Sequence, residues 1–165
     1  MAYAVTATHK LDRPIIQALD ASSSTAVHDV GYEVTGTDGK VYLYVLTDAS
    51  TIVASAGYPA HWMTGTTTGE VTSDISDTGT RGSAFAGVFC CGIALADEAY
   101  CWIQTKGFAA DCSISTDVAA SDKLCARTDY MFEAVGEGDG EMGSSRIVAI
   151  AMEAVDGDTG DIVML

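Results

Sequence analysis

Residue types that do chemistry are sparse and scattered in this chain. The three histidines, His9, His28 and His61, fall in different segments, and neither a G-x-S-x-G elbow nor an H-E-x-x-H pair accompanies them. His28 and Asp29 are adjacent, but neighbouring side chains on an extended backbone point to opposite faces, so they form no relay. Five cysteines, Cys90, Cys91, Cys101, Cys112 and Cys125, are odd in number and contain no C-x-x-C pair. That pattern argues against a disulfide framework or a zinc site and predicts reduced, buried thiols. Gly138, Gly140 and Gly143 have the G-x-G-x-x-G spacing. Glu137, Asp139 and Glu141 would repel a pyrophosphate there, however, and the following run from Ile147 to Met152 is β-type rather than a helix N-terminus. Asp156, Asp158 and Asp161 in DGDTGD resemble the start of a calcium loop, but the glycine sits at the wrong offset and no bidentate glutamate follows before Leu165. A β-turn joining the last two strands is the expected structure. These patterns predict a protein that is not an enzyme and that needs no cofactor or metal.

The elements that must position any site follow from composition. Of 165 residues, 48% are hydrophobic and 19% charged, enough apolar material for a buried core. Seventeen glycines and two prolines, in a chain otherwise rich in Ala, Thr, Val and Ser, favour short strands and tight turns. The fold class expected is mainly β: a compact β-sandwich or small β-barrel with an extended N-terminal arm and little helix. Eight basic against 23 acidic residues give a formal charge of −15, which repels phosphate backbones and anionic lipid. Neither nucleic acid nor a membrane is expected as a partner, and no run approaches the roughly 20 apolar residues of a membrane span. The opening also lacks the basic-then-apolar layout of an export signal.

Residues 1–30 show no sustained period and read as an arm, and residues 31–165 as a single β-rich domain. Asp12 ahead of Pro14, Ile15, Ile16 and Leu19 can cap one or two helical turns within the arm. From Gly31 the pattern sharpens. Asp38-Gly39 stands between alternating runs in GYEVTGTDGKVYLYVLTD, a hairpin signal. A two-residue turn pairs Thr37 with Lys40 and Val34 with Leu43, sending Tyr42 and Tyr44 to the outward face. Residues 47–83 read as loops with short strands, the Thr/Ser-rich run between 64 and 83 as a long excursion. In AFAGVFCCGIALA, alternation puts Phe85, Phe89, Cys91, Ile93 and Leu95 on one side and Ala84, Ala86, Val88, Cys90 and Ala94 on the other. TIVASAG at 51–57 faintly echoes TDVAASD at 116–122, as a repeated turn-and-strand unit would.

In AYCWIQTKG the same alternation groups Tyr100, Trp102, Gln104 and Lys106 on one face, aromatic at one end and polar at the other. Tyr100, Trp102 and Gln104 suit a seam between subunits, where large aromatic side chains keep their polar atoms satisfied. They also suit a sugar-stacking platform.

The succession GIALADEAYCWIQTKGFA, DVAASDKLCA, RIVAIAMEAV and a closing IVML strand resembles the small decoration, or cement, proteins of tailed bacteriophages. In that family a Gly-[IV]-Ala-[Leu] strand leads to a W-[IV]-Q-T-x-G strand, then an Ala-Ala-[Gly/Ser]-Asp turn and an [IV]-[VA]-[GA]-x-A strand. The resemblance spans residues 86–165, and Ser121 stands where glycine is usual. It implies a non-enzymatic, mainly β virion protein that assembles in the host cytoplasm. Homotrimers of such a protein sit on the outer head surface and lock neighbouring major capsid subunits together. The arm residues Tyr3, Val5, His9, Lys10 and Arg13 are then the candidate capsid contacts, by strand addition. The alternative expectation is a carbohydrate-binding or adhesin module using Tyr100, Trp102 and Trp62.

Overall fold

A computed structural model describes residues 17–48, 54–63, 70–74, 84–93, 98–126, 130–135, 147–155 and 158–165. Among them every regular element is a strand, so the chain is mainly β as its composition predicts. The strands are β1 (Glu33–Thr35), β2 (Val41–Thr47), β3 (Pro59–Trp62), β4 (Glu70–Thr72), β5 (Phe85–Phe89), β6 (Tyr100–Ser113), β7 (Lys123–Ala126), β8 (Phe132–Ala134), β9 (Ala149–Ala151) and β10 (Thr159–Met164).

Strands β2, β4, β3, β5 and β6 pair in that order, and β6 pairs back onto β2 to close a barrel. Its interior holds Val45, Ala60, Val71, Phe89, Cys91, Ile93, Cys101 and Ile103. The 14-residue strand β6 then continues beyond the barrel. Its second half pairs with β10, and the sheet runs on through β9 and β7 to β8, which returns to β6 by a parallel bridge between Phe132 and Ile114. Ala109, Cys112, Ile114, Leu124, Phe132, Ala149, Ala151 and Ile162 fill this second unit. Phe85 and Val88, from the outer side of β5, pack against the same cluster and join the two units.

The two units share one topology. Each starts on a strand (β2 or the second half of β6) and runs parallel to its third strand (β4 or β8). Each then closes antiparallel against its last strand (the first half of β6, or β10). Several of the backbone hydrogen bonds correspond. Gly57 and Ser121 donate N–H to Phe89 O and Ala151 O, both at 2.9 Å. Phe89 and Ala151 return bonds to Tyr58 O (3.0 Å) and Asp122 O (2.9 Å). Thr47 donates to Ala99 O (2.8 Å) as Ile114 does to Asp158 O (3.0 Å), and Cys90 to Trp102 O (3.1 Å) as Met152 does to Asp161 O (2.9 Å). Interior positions match too: Ala60 with Leu124, Val71 with Phe132 and Ile103 with Ile162 are all 0% exposed. Ala54 to Tyr58 therefore corresponds to Val118 to Asp122, so the faint echo in the sequence falls in the right place but one residue out of step.

Several local expectations are corrected. Gly36, not Thr37, faces Lys40: its N–H donates to Lys40 O at 2.7 Å, and Gly39 N–H donates to Gly36 O at 3.1 Å. Asp38 Oδ1 accepts the Lys40 N–H at 3.1 Å and Gly39 has φ +81°, the geometry of a three-residue loop with a glycine bulge. The one-residue slip pairs Val34 with Tyr42 and brings Val34 onto the face of Tyr42 and Tyr44, which lies outside the barrel as expected but is buried rather than open. In β5 the expected alternation holds for Phe89, Cys91 and Ile93 but breaks at Gly87, where the pairing with β3 shifts and Phe85 joins Val88 on the opposite side. The short strands expected among the loops of 47–83 include β3 and, within the polar run, β4 (Glu70–Thr72), both part of the barrel. Within the expected arm, residues 17–30 pack on the barrel and Leu19 lies in a turn, while residues 12–16 of the expected helical turns lie outside the described residues. The glycine-acid run at 137–143 also lies outside them.

The corresponding turns need a positive φ at Gly57 (+87°) and Ser121 (+73°). A Cβ on Gly57 would collide with the carbonyl oxygen of Asp111 on β6, so glycine is required there by contact as well as by φ. Gly57→Ala is expected to lower stability by about 1–3 kcal/mol. Ser121→Gly should leave it within a few tenths of a kcal/mol, because only φ is at stake there. Urea unfolding of both variants checks this.

Candidate functional site

Outside the first barrel, the face of β2 and β6 carries Tyr42, Tyr44, Trp102 and Tyr100, packed with Val34, Tyr32 and Leu19. Residues 17–32 lie across this face as a strap. Ser23 exchanges two backbone bonds with Tyr100 (3.0 and 2.8 Å), and Gly31 N–H donates to Tyr44 O at 2.8 Å. Gln17 is the latch. Its backbone oxygen accepts the Trp102 indole N–H at 3.2 Å, and its side-chain Oε1 accepts the Tyr44 hydroxyl at 2.9 Å. Its Nε2 donates to Tyr100 O at 3.0 Å and Ala21 O at 2.7 Å. His28 completes the cover, stacked on Tyr32 at 5.2 Å and lying 5.1 and 5.3 Å from the Tyr44 and Trp102 rings. Burial pushes the Tyr44 hydroxyl above its usual pKa, so it remains the proton donor to Gln17.

This arrangement settles what Trp102 does. It is 0% exposed and Gln104 7%, so of the three expected seam residues only half-buried Tyr100 has surface to offer. Gln104 is spent inside the chain, where its Nε2 donates to Lys106 O (3.0 Å) and Phe108 O (2.9 Å) across the bend of β6. Trp62 packs against the interior of the barrel whereas Trp102 packs outside it, so the two tryptophans share no stacking platform. Tyr3, Val5, His9, Lys10 and Arg13 lie outside the described residues.

The remaining chemistry-bearing groups are dispersed. No cluster of three or more metal-ligating side chains occurs among the described residues. All five cysteines are free thiols. Burial pushes Cys112 up to about 12 and raises Cys90 further, while a hydrogen bond with Cys91, then burial, raises Cys101. His61, 1% exposed on β3, has no hydrogen-bond partner for either ring nitrogen among the described residues and meets the Phe85 ring edge at 6.5 Å. Burial lowers its pKa to about 4. No known protein family, curated protein or solved structure matches the chain.

Sequence reasoning missed the strap, because a segment without hydrophobic period gives no sign that it will dock. The available signal was the pair of tyrosines on β2, too large to be left outward.

Two outcomes follow for this region. Gln17→Ala should cost about 1–3 kcal/mol by stranding the Tyr44 hydroxyl, and amide exchange at Ser23 and Gly31 should lose its protection. His61 remains neutral in the fold until about pH 4, whereas the unfolded chain takes up that proton near 6.5. Its contribution to stability is therefore full above pH 6.5 and is lost as pH falls towards 4, by on the order of 3 kcal/mol. His61→Leu should flatten this part of the stability–pH curve. An unchanged slope would assign the loss to carboxylates instead.

Proposed function

We propose that this protein is a decoration protein of a tailed-phage head, binding the outer surface and stabilising contacts between major capsid subunits. The observation that carries the reading is where the resemblance falls. The W-[IV]-Q-T-x-G stretch, Trp102 to Gly107, runs through the bend of β6, the strand both units share. The small-residue turn, Ala119 to Asp122, is the second unit's positive-φ turn, and Ser121 there adopts φ +73°, a conformation that glycine adopts readily. The quoted motifs are thus the residues that fix the shape of the body, as expected of a protein that acts by shape rather than by catalysis. Burial of Trp102 under the strap removes the main element of the carbohydrate-binding alternative. The partners in this reading are the major capsid protein and further copies of the chain, with the arm residues Tyr3, Val5, His9, Lys10 and Arg13 as capsid contacts.

A ligand that binds the assembled shell but not its dissociated subunits stabilises the shell by about 1.4 kcal/mol per site for each tenfold excess over Kd. Heads lacking the protein should release DNA at a lower temperature than heads re-decorated with it, and the release temperature should climb with occupancy. Equal release temperatures for bare and decorated heads would remove the proposed role.

A further inference from the structure

We propose that Cys91 and Cys101 form an oxidation site, a dithiol that hydrogen peroxide converts to a cross-strand disulfide inside the first barrel. Strand β5 pairs with β6 through Val88 with Gln104 and Phe89 with Ile103. The pairing carries one step past the end of β5, where Cys90 N–H donates to Trp102 O at 3.1 Å. Continued in the same register, it sets Cys91 opposite Cys101. Cys91 follows Phe89 by two residues and Cys101 precedes Ile103 by two, so both thiols fall on the interior face with those side chains.

The position in the ladder favours a bond. Cys101 pairs on its other side with Val45 of β2, and it is the neighbouring Trp102 whose carbonyl accepts from the chain beyond β5. Cys91 and Cys101 are therefore a non-hydrogen-bonded pair, the kind whose Cα atoms lie about 4.5 Å apart with side chains closest. That spacing falls within the roughly 4.4–6.8 Å that disulfides span. The two thiols already meet, the Cys101 S–H donating to the Cys91 sulfur. That bond holds the Cys91 thiol below its usual pKa and raises Cys101, which makes Cys91 the nucleophile and Cys101 the resolving thiol.

The other three thiols are turned away. Cys90 lies on the opposite face with the strap cluster and donates to Val88 O at 3.9 Å. Cys112 donates to Ala109 O at 3.8 Å in the second core, and Cys125 to Glu133 O at 3.7 Å. Cys91 is 4% exposed and Cys101 0%, which leaves no room for a bulky oxidant. Gly92, the next residue, is exposed, so a molecule as small as hydrogen peroxide has a short path to Cys91.

The Cys91 thiolate, its proton lost, attacks one peroxide oxygen and the O–O bond breaks. The hydroxide released takes up that proton as water, and Cys91 is left as a sulfenic acid. Cys101 then gives up its proton as its sulfur attacks the Cys91 sulfur. The S–O bond breaks, and the departing hydroxide takes that proton as a second water. Two thiols lose two electrons in all, and one peroxide is reduced to two waters. The new bond ties the end of β5 to the start of β6 and closes the segment between them. This site goes beyond the decoration reading and does not depend on it.

The folded full-length protein, treated with hydrogen peroxide, quenched and denatured, would have its thiols titrated. Five thiols should fall to three, dithiothreitol should restore all five, and peptide mapping should join Cys91 to Cys101. The oxidised chain should unfold at a higher urea concentration than the reduced one. Cys90→Ser, on the opposite face, should lose two thiols as the wild type does. Cys101→Ala should stop at the sulfenic acid, trapped on Cys91 by dimedone; should that variant not fold, the mapping of the wild type decides by itself. Five thiols left by peroxide that fully oxidises a free dithiol would overturn the proposal. So would a bond through any other cysteine, or oxidation of Cys91 in the wild type without a bond to Cys101.

Discussion

Strand β6 is the constraint on which the rest of the structure depends. Its first half closes one barrel against β2 and β5, and its second half opens the next unit against β10, without a linker between them. Side chains alternate along it, so consecutive residues serve different cores: Cys101 and Ile103 fill the first interior, Trp102 anchors the strap outside, and Ala109 and Cys112 fill the second interior. Between the halves, Gly107 at φ +91° and the Gln104 amide, which caps the carbonyls of Lys106 and Phe108, hold the bend. Neither half of β6 can be displaced without opening a core.

That continuity explains why the units are joined so closely. The first unit's Phe85 and Val88 are part of the second unit's core, and the Gly57 turn touches β6 at Asp111, with Ser113 N–H donating to Gly57 O at 3.1 Å. Tyr58 meets Tyr130 edge to face at 5.5 Å across the same junction. His61, without a hydrogen-bond partner for its ring among the described residues, stands beside Phe85 where the units meet. The two units are thus joined by shared core side chains, a backbone bond and an aromatic contact as well as by β6.

Much of this was legible in the residues and some was not. Alternation in AYCWIQTKG assigned Trp102 and Ile103 to opposite faces because an uninterrupted strand keeps period two. It failed in AFAGVF, where the pairing shift at Gly87 inverts the pattern, and in the hairpin, where Asp38 captures the Lys40 N–H and lengthens the turn by one residue. Those are local backbone choices that hydrophobic pattern does not encode. The repeated topology has almost no trace in the sequence, since matching interior positions such as Ala60 and Leu124, or Val71 and Phe132, share only their burial. The seam assigned to Tyr100, Trp102 and Gln104 had the right composition for a contact surface. It is covered by the chain's own strap, and pattern alone cannot tell a cover supplied from within from one supplied by a neighbour.

If β6 couples both units, they open together. Native-state hydrogen exchange across a urea series resolves this directly, by comparing the slowest amides of Cys101 to Ile103 with those of Ala109 to Cys112. The account predicts that the two sets converge on one opening free energy, equal to the global unfolding value. Two separate plateaus, with one half of β6 exchanging while the other stays protected, would contradict it.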